Sequence, residues 1–563
     1  MRFAGLSATS EPGITILLTL LLGVAVQLPA AERFFLSVEN GFCWLARQKW
    51  LAVGAVFALV LGARLALVSL LPVPNPGIHD EFSYLLMADT FAHGRLANPP
   101  HAMWMSFETF HVLWFPAYAS KYPPAQGLVL MLGQLVGHPW IGVLLSAAAM
   151  GAAVTWALKA WLPGRWALLA GLLVASKLCL VTYWMNSYWG GAVAAFGGAL
   201  AVGALGRLRR GGGTGNAVAL AAGVAILLNS RPYESVFFCV PVAVVLFRWL
   251  AGEGSSRAAE RRRSVLLPAA AILLLTFAWM AYYNWRVTGN PLEIPYSEAV
   301  KTYDRSALFL WQKAKPPRHY NSKELDVFYN RWERENFDRS WDGAKDITWQ
   351  KLTRSAAIFA WPALLLALPG LCFVYRDRRA RFLAAIVLAV ATAFAVSAWP
   401  NPHYVAPCVV AIFALMVQSL RHLRTLTVFG RPLGRALSRV VVLALLVDVA
   451  ESATQGNSDP LGWGGYGLSD RAEIQRQLEE TPGKHLVMVR YVDHHSVHEE
   501  WVYNGADLDG AKVLWGRDLE PRQNAKLFAY YKDRTIWLVE PGSDSVSLTE
   551  YRPGPVGDYE PEY

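Results

Sequence analysis

Apolar runs approaching the thickness of a bilayer recur along the chain from Leu51 to Ala450, each closed by charged residues. A membrane helix needs roughly 20 predominantly apolar residues. The segments that come near this length are Leu51 to Leu71, Ile141 to Leu158, Trp166 to Tyr183, Ala192 to Leu205, Ala217 to Leu228, Val236 to Leu250, Leu266 to Tyr283, Ala356 to Tyr375, Phe382 to Trp399, Val405 to Leu420 and Val440 to Ala450. An earlier run begins at Ile14. Its n-region is weak and contains Glu11, so it is expected to be an uncleaved first membrane helix rather than a signal peptide. The run Leu128 to Val136 is too short to span and is expected to be re-entrant or interfacial.

The polar positions assign sides. Lys159 to Arg165, Arg207 to Arg210, Arg257 to Arg263, Arg376 to Arg381 and Arg421 to Arg435 each adjoin an apolar run, as in cytoplasmic loops. Counting single crossings between them leaves no conflict. It puts Asp80, Asn186, the turn Asn229 to Glu234, the loop Trp285 to Arg354 and Trp399 to Tyr404 on the opposite, outer face. The pattern divides the chain into an N-terminal hydrophobic helix and link (1–49), a membrane domain (50–450) with a first outer loop (72–139) and a large outer loop (285–354), and a C-terminal part (451–563). From about Glu451 the apolar runs shorten to strand-like pieces, His485 to Tyr491, Lys512 to Trp515 and Thr535 to Val539, with a helix-like Ala472 to Glu480 between them. The fold class is therefore a mainly α-helical polytopic membrane protein with about 11–13 transmembrane helices and a small C-terminal extracytoplasmic α/β domain.

Composition agrees: 54% of the 563 residues are hydrophobic and only 17% charged, below the roughly 25% of soluble proteins. The net charge of +10 is accounted for by the loop clusters, which argues against a nucleic-acid partner and for membrane lipids. The five cysteines lie in or beside apolar segments without metal-ligand spacing and read as small hydrophobes. Gly211-Gly212-Gly213 reads as a tight linker rather than a phosphate loop.

The first outer loop carries the candidate chemistry. Between Gly77 and Gly127 it holds Asp80, Glu81, Glu108, Lys121 and four histidines, an unusual load for a connection between membrane helices and the mark of an active-site loop. Of Asp80 and Glu81, one could act as a base while the other orients partners; alternatively Asp80 caps the interfacial helix that continues through Phe82, Tyr84 and Ala88. Glu108 and His111, three apart, could face one another on a short helix. Lys121, Arg231, His403 and Arg286 are cations on the outer face. Asp493 to Glu500 is rich in histidine and acid, but its spacing fits no closed zinc set and a solvated loop is expected.

Asp80-Glu81-x-x-Tyr84-x-x-x-Ala88, followed by Lys121 with Pro123-Pro124, resembles the opening loop of the polytopic GT-C glycosyltransferases, nearest the protein O-mannosyltransferase and aminoarabinose transferase group. Tyr283-Asn284 with Thr288-Gly289-Asn290-Pro291 is similar to the stretch opening that family's large loop, and His403-Tyr404 with Pro407 to the start of a late helix. The resemblance covers roughly Leu51 to Leu420. It implies a GT-C fold and transfer of a sugar, with inversion, from a polyprenyl-phosphate-linked donor to a lipid, glycan or protein acceptor on the outer side of a bacterial inner membrane. Asp80, with Glu81, would carry the catalysis. Lys121, Tyr122, Arg231, His403, Tyr404, Glu108, His111 and Asn186 would contact substrates. Two departures stand out: Tyr122 interrupts the usual Lys-Pro-Pro and could displace Lys121, and Asn186 stands where many members carry Asp, which puts a divalent metal in question. The rival readings are a multi-pass transporter and a non-catalytic envelope protein.

Overall fold

The computed structural model describes residues 29–252, 256–335, 341–359, 371, 377–427, 429–430, 432–454, 461, 463, 467–492, 495–542 and 546–551. The run beginning at Ile14, most of the expected span Ala356 to Tyr375, Cys372, and Asp493 and His494 lie outside these residues.

Among the described residues six helices are long and apolar enough to cross a membrane: Lys49–Ala66, Pro139–Leu158, Pro232–Ala251, Arg262–Thr288, Arg378–Val396 and Pro402–Leu423. Ala192–Leu208 and Thr214–Leu228 are shorter apolar helices packed against one another. Pro124–Leu135 is a helix of 12 residues. At 1.5 Å per residue it covers about 18 Å, short of a hydrocarbon core of about 30 Å. The helix expected from Trp166 to Tyr183 runs instead from Gly164 to Leu178. Beyond it residues 179–191 are irregular yet largely buried. Their backbone is satisfied by side chains, as buried irregular backbone must be: Ser187 Oγ donates to Tyr183 O at 2.6 Å and Asn186 Nδ2 to the carbonyls of Leu180 and Thr182 at 3.1 Å.

The two ends of the bundle differ chemically. At one end Lys159 donates to Gln48 O at 2.9 Å and Arg379 to Trp161 O at 3.2 Å. There the amphipathic helix Pro29–Arg47 is tied through Glu39 to Arg424 (2.7 Å) and Arg439 (3.0 Å). This is the end of the basic clusters. Asp80, Lys121, Arg231 and His403 collect at the other. Close packing fixes that end: a Cβ on Gly198 would lie 2.0 Å from Pro407 O, so helix Ala192–Leu208 lies directly against the 3-10 turn Pro402–Cys408 that carries His403.

The first outer loop contains a two-stranded hairpin, β1 (Val112–Leu113) and β2 (Ala119–Ser120), and the C-terminal part a sheet of β3 (Lys484–Val489), β4 (Val513–Arg517), β5 (Arg534–Val539) and β6 (Thr549–Glu550). The order is β4-β3-β5-β6, with β3 parallel to both neighbours. Alternate residues of a strand face opposite ways, and each face has its own core. Leu486, Met488, Leu514 and Leu538 pack with Leu86, Phe107, Val112, Trp114 and Tyr118 of the first outer loop. Val487, Val489, Trp515 and Val539 pack with Ile474 and Leu478 of helix Ser469–Glu480 and with Phe82. The first loop therefore contributes to the core on both faces of the sheet, most of it on one.

This packing corrects one expectation. Helix His79–Ala92 is not interfacial: Phe82, Ser83, Tyr84, Leu86, Met87, Ala88, Thr90 and Phe91 are all buried. Phe82 stacks on Tyr503 with ring centroids 4.2 Å apart, and Asp89 accepts from Ala506 N at 2.7 Å. The C-terminal sheet roofs the helix.

Candidate active site

The cap of helix His79–Ala92 decides which of the paired acids is available. Ile78 is the N-cap, and Glu81, three residues on, reaches back to accept from Gly77 N (2.7 Å) and Ile78 N (3.1 Å). Its other oxygen accepts from Tyr188 N at 3.0 Å. Glu81 thus fills the capping role weighed for Asp80 and joins the helix to the irregular segment 179–191. Burial pushes its carboxyl up to about 7 against these three amides. Both of its oxygens are thus occupied by backbone amides, which leaves Asp80 the freer of the two acids.

Asp80 stays available. Half-buried at the positive end of the helix dipole, it accepts a hydrogen bond from Tyr122 Oη. Burial raises its pKa, while the Tyr122 hydroxyl and the charges of Lys121 and Arg231 pull it down; the net direction is upward. Tyr122 therefore does not displace Lys121 from the site but adds a donor to it. Tyr122 stacks on Tyr84 at 4.5 Å, fixing the ring behind Asp80.

Lys121 is only 4% exposed. Its ammonium lies 5.5 Å from the ring centre of Tyr122 and 5.1 Å from that of Tyr296, and it forms no ion pair or side-chain hydrogen bond among the described residues. A buried cation without a counter-ion is costly, and aromatic faces compensate only in part. The backbone beneath it is held by Ser83, whose hydroxyl donates to His111 O at 2.7 Å, while Lys121 N donates to the same carbonyl at 3.2 Å. His111 adopts a left-handed backbone (φ 63°) to offer that carbonyl twice.

Arg231 comes in from the turn before helix Pro232–Ala251 with its guanidinium 4.9 Å from the Tyr404 ring. That turn is stitched to the Lys121 segment, because Ala125 N donates to Asn229 O at 2.9 Å. His403, beside Tyr404, faces inward: Nδ1 lies 3.0 Å from Tyr183 Oη, and the ring packs edge-on to Trp189 at 4.7 Å. Asp80, Tyr122, Lys121, Arg231 and Tyr404 thus form one cluster, with His403 bracing it from behind.

Three expected contacts lie elsewhere. Asn186 is consumed by structure: Oδ1 accepts from Arg64 Nη2 at 2.9 Å while Nδ2 holds two carbonyls. Glu108 accepts from Tyr303 Oη at 3.0 Å and Asn321 Nδ2 at 2.8 Å, in a separate cavity, and no helix brings it to face His111. The ring centres of His111 and His79 lie 5.4 Å apart and those of His79 and His498 5.8 Å apart; burial lowers the pKa of each. Arg286 is exposed and bonds Tyr282 at 3.3 Å. In the acidic and histidine-rich stretch, Glu500 is buried in an ion pair with Arg517 at 2.6 Å.

The site also holds groups that sequence reasoning missed. Tyr296, Asp304 and Glu333, all from the large loop, sit within electrostatic reach of the cluster. Glu333 is pushed up to about 8 by burial and by the charge of Asp304, whose buried Oδ1 has no hydrogen-bond partner among the described residues. Tyr296 alone carried a signal, standing just past the Thr288-to-Pro291 stretch. Asp304 and Glu333 are brought together by the fold.

These features define the class: a multi-pass, mainly helical membrane protein whose first and large loops and C-terminal sheet enclose the Asp80 carboxylate within electrostatic reach of Lys121 and Arg231. No protein-family model and no curated protein matches the chain. Solved structures similar to it are GT-C glycosyltransferases. ArnT from Cupriavidus metallidurans in the apo state aligns at 16% identity over 87% of this chain and 93% of that one, with a TM-score of 0.48. The same protein bound to undecaprenyl phosphate aligns at 14% identity over 86% and 92%, TM-score 0.46. The Archaeoglobus fulgidus oligosaccharyltransferase tethered with an acceptor peptide aligns at 12% identity over 88% and 69%, TM-score 0.47. Likenesses at this level assign no residue a role.

Proposed function

We propose that the chain is a glycosyltransferase that moves a sugar from a polyprenyl-phosphate-linked donor to a hydroxyl on the extracytoplasmic face of a bacterial inner membrane. One observation carries the reading: Lys121, a buried residue without an ion pair among the described residues, and Arg231 both lie within electrostatic reach of Asp80. A carboxylate that can take a proton and two cations that can hold a phosphate are what this transfer requires.

Asp80 accepts the proton of the acceptor hydroxyl as its oxygen bonds to the anomeric carbon. The bond from that carbon to the phosphate oxygen breaks, and its electron pair leaves with the lipid phosphate. Lys121 and Arg231 meet the charge that develops there, and the tyrosines around them exclude water, which strengthens both contacts. Attack opposite the leaving group inverts the anomeric centre. Among the described residues no three histidine, cysteine or carboxylate groups converge as a metal-binding set; Lys121 and Arg231 are the chain's own groups placed to compensate the phosphate, and a divalent ion would add to them.

The test is transfer from radiolabelled polyprenyl-phosphate sugars in membranes, native protein against Asp80→Asn at equal expression. The expected loss is about 10²–10⁴-fold, the usual contribution of a positioned base. Full activity in Asp80→Asn would remove the base assignment. Absence of transfer by the native protein across a broad donor panel would favour the transporter or scaffold reading.

A further inference from the structure

A cavity of about 600 Å³ opens between the first and large outer loops, within the size range of small-molecule sites and outside the Asp80 cluster. One wall is aromatic. Trp104 is half-buried and Phe115 is 52% exposed, their rings edge to face at 5.2 Å. Such edge-on pairs leave open faces on which an apolar ring face can lie. The floor is Trp114, stacked on Tyr118 at 4.3 Å, with its indole N–H lacking an acceptor among the described residues. The other wall is polar and includes Glu108, Arg318 and Asn321.

That mixture selects a chemistry. A fatty chain would lie against the Glu108 carboxylate, held by Tyr303 and Asn321, and the Arg318 guanidinium, held by Thr302 O, and could fill none of their remaining hydrogen-bonding positions. A phosphate group would meet Glu108 and Glu298 against the single guanidinium of Arg318, an unfavourable balance for an anion. A sugar ring has an apolar face for Trp104 and Phe115, and hydroxyls that donate to Glu108 while accepting from Arg318 and Asn321.

The cavity is linked to the reacting cluster twice. Leu113 lines it, and its hairpin partner Ala119 lies two residues before Lys121, about 7 Å along the strand beyond the cross-strand spacing of about 5 Å. Tyr303, which donates to Glu108, directly precedes Asp304. A single sugar cannot bridge that separation, whereas a short oligosaccharide can.

We infer that this cavity is a subsite for a neutral saccharide of an extended acceptor glycan, holding it some sugar units away from the hydroxyl that Asp80 deprotonates. The inference rests on the glycosyltransferase reading for its role but not for its binding chemistry, and the two can fail separately.

The experiment is titration of the purified full-length protein in detergent with neutral mannose- and arabinose-based oligosaccharides of increasing length, followed by tryptophan fluorescence, with a phosphorylated oligosaccharide for comparison. The native protein and Asp80→Asn should bind alike. Affinity should rise with length, fall at least 10-fold in Trp104→Ala and Phe115→Ala, and be weaker for the phosphorylated probe. Phe115 is a surface residue, so its variant keeps the test valid if Trp104→Ala misfolds. In transfer assays Phe115→Ala should raise KM for long acceptors and leave donor hydrolysis unchanged. Active enzyme with no saccharide binding, binding unaffected by both variants, or preference for the phosphorylated probe would overturn the subsite. Binding that follows the expected pattern in a protein without transferase activity would uphold the subsite and sink the transferase reading.

Discussion

The electrostatics of Asp80 set the pH behaviour of the site. A base works only when ionised, so activity should fall on the acid side as pH drops through its pKa. Burial raises that pKa above the ordinary carboxylate range near 4, and the Tyr122 hydroxyl partly reverses the effect. Removing the hydroxyl in Tyr122→Phe should move the acid limb of kcat/KM to higher pH while leaving the alkaline limb in place. An unmoved or down-shifted acid limb would show that Asp80 is not the titrating base. Asp80, Tyr122, Lys121 and Arg231 were legible in the sequence because each is a charged or polar group at an abrupt edge of an apolar run. Glu81, Asn186 and Glu108 looked alike by that criterion, but their side chains are engaged outside that cluster. Their partners, Tyr188, Arg64, Tyr303 and Asn321, lie at sequence separations from which no spacing rule could have inferred them.

Elements are positioned by a few buried polar joints. Glu81 joins the start of helix His79–Ala92 to residue 188. Replacing it with Gln puts an amide donor against backbone donors and should lower the thermal midpoint in detergent, at a cost of about 2 kcal/mol for hydrogen bonds to a charged group. Activity should fall through kcat, with donor KM nearly unchanged; a rise in KM alone would mean that Glu81 touches substrate. A second joint is Arg517, 2% exposed, which pairs with Glu500 at 2.6 Å and with Glu324 at 2.8 Å and donates to Glu108 O at 3.1 Å. It ties the C-terminal sheet to both outer loops. Arg517→Met leaves the buried Glu500 and the half-buried Glu324 without their cation and should destabilise the protein by about 3–5 kcal/mol. Arg517→Lys should not restore it, since one ammonium cannot reproduce the guanidinium fork. Recovery by Lys would reduce the joint to a matter of charge. The positions of β3, β4 and β5 were legible to within two residues because each is a short apolar run bounded by turn residues. The end of the helix at Leu178 was not, since the buried segment 179–191 is as apolar as a helix and is held by side-chain hydrogen bonds that hydropathy does not register.

At the scale of the whole molecule the C-terminal part is structurally inseparable from the first loop. The sheet completes its core with Leu86, Phe107, Val112, Trp114 and Tyr118. Truncation after Thr454 should therefore expose an apolar patch on the first loop, abolish activity and cause aggregation in detergent even though every membrane helix remains. A truncated protein that stays monodisperse and active would show that the sheet is an accessory. The composition change near Glu451 made the sheet visible in the sequence; that its core is shared could not be read, because first-loop apolar residues look like ordinary interfacial ones until their partner is in place.

The roof has a consequence for how the protein is made. His101 contacts Asp509 and Tyr531, 408 and 430 residues further along the chain. At roughly 5–20 residues per second of synthesis, the loop emerges some 20–80 s before its cover. For that interval its apolar face stands bare at the membrane surface, a target for proteases and a client for chaperones. A stop codon between helix Ser469–Glu480 and β4 would leave every membrane helix in place and remove the cover, giving an inserted protein whose loop never closes, as inert as one lost near the start.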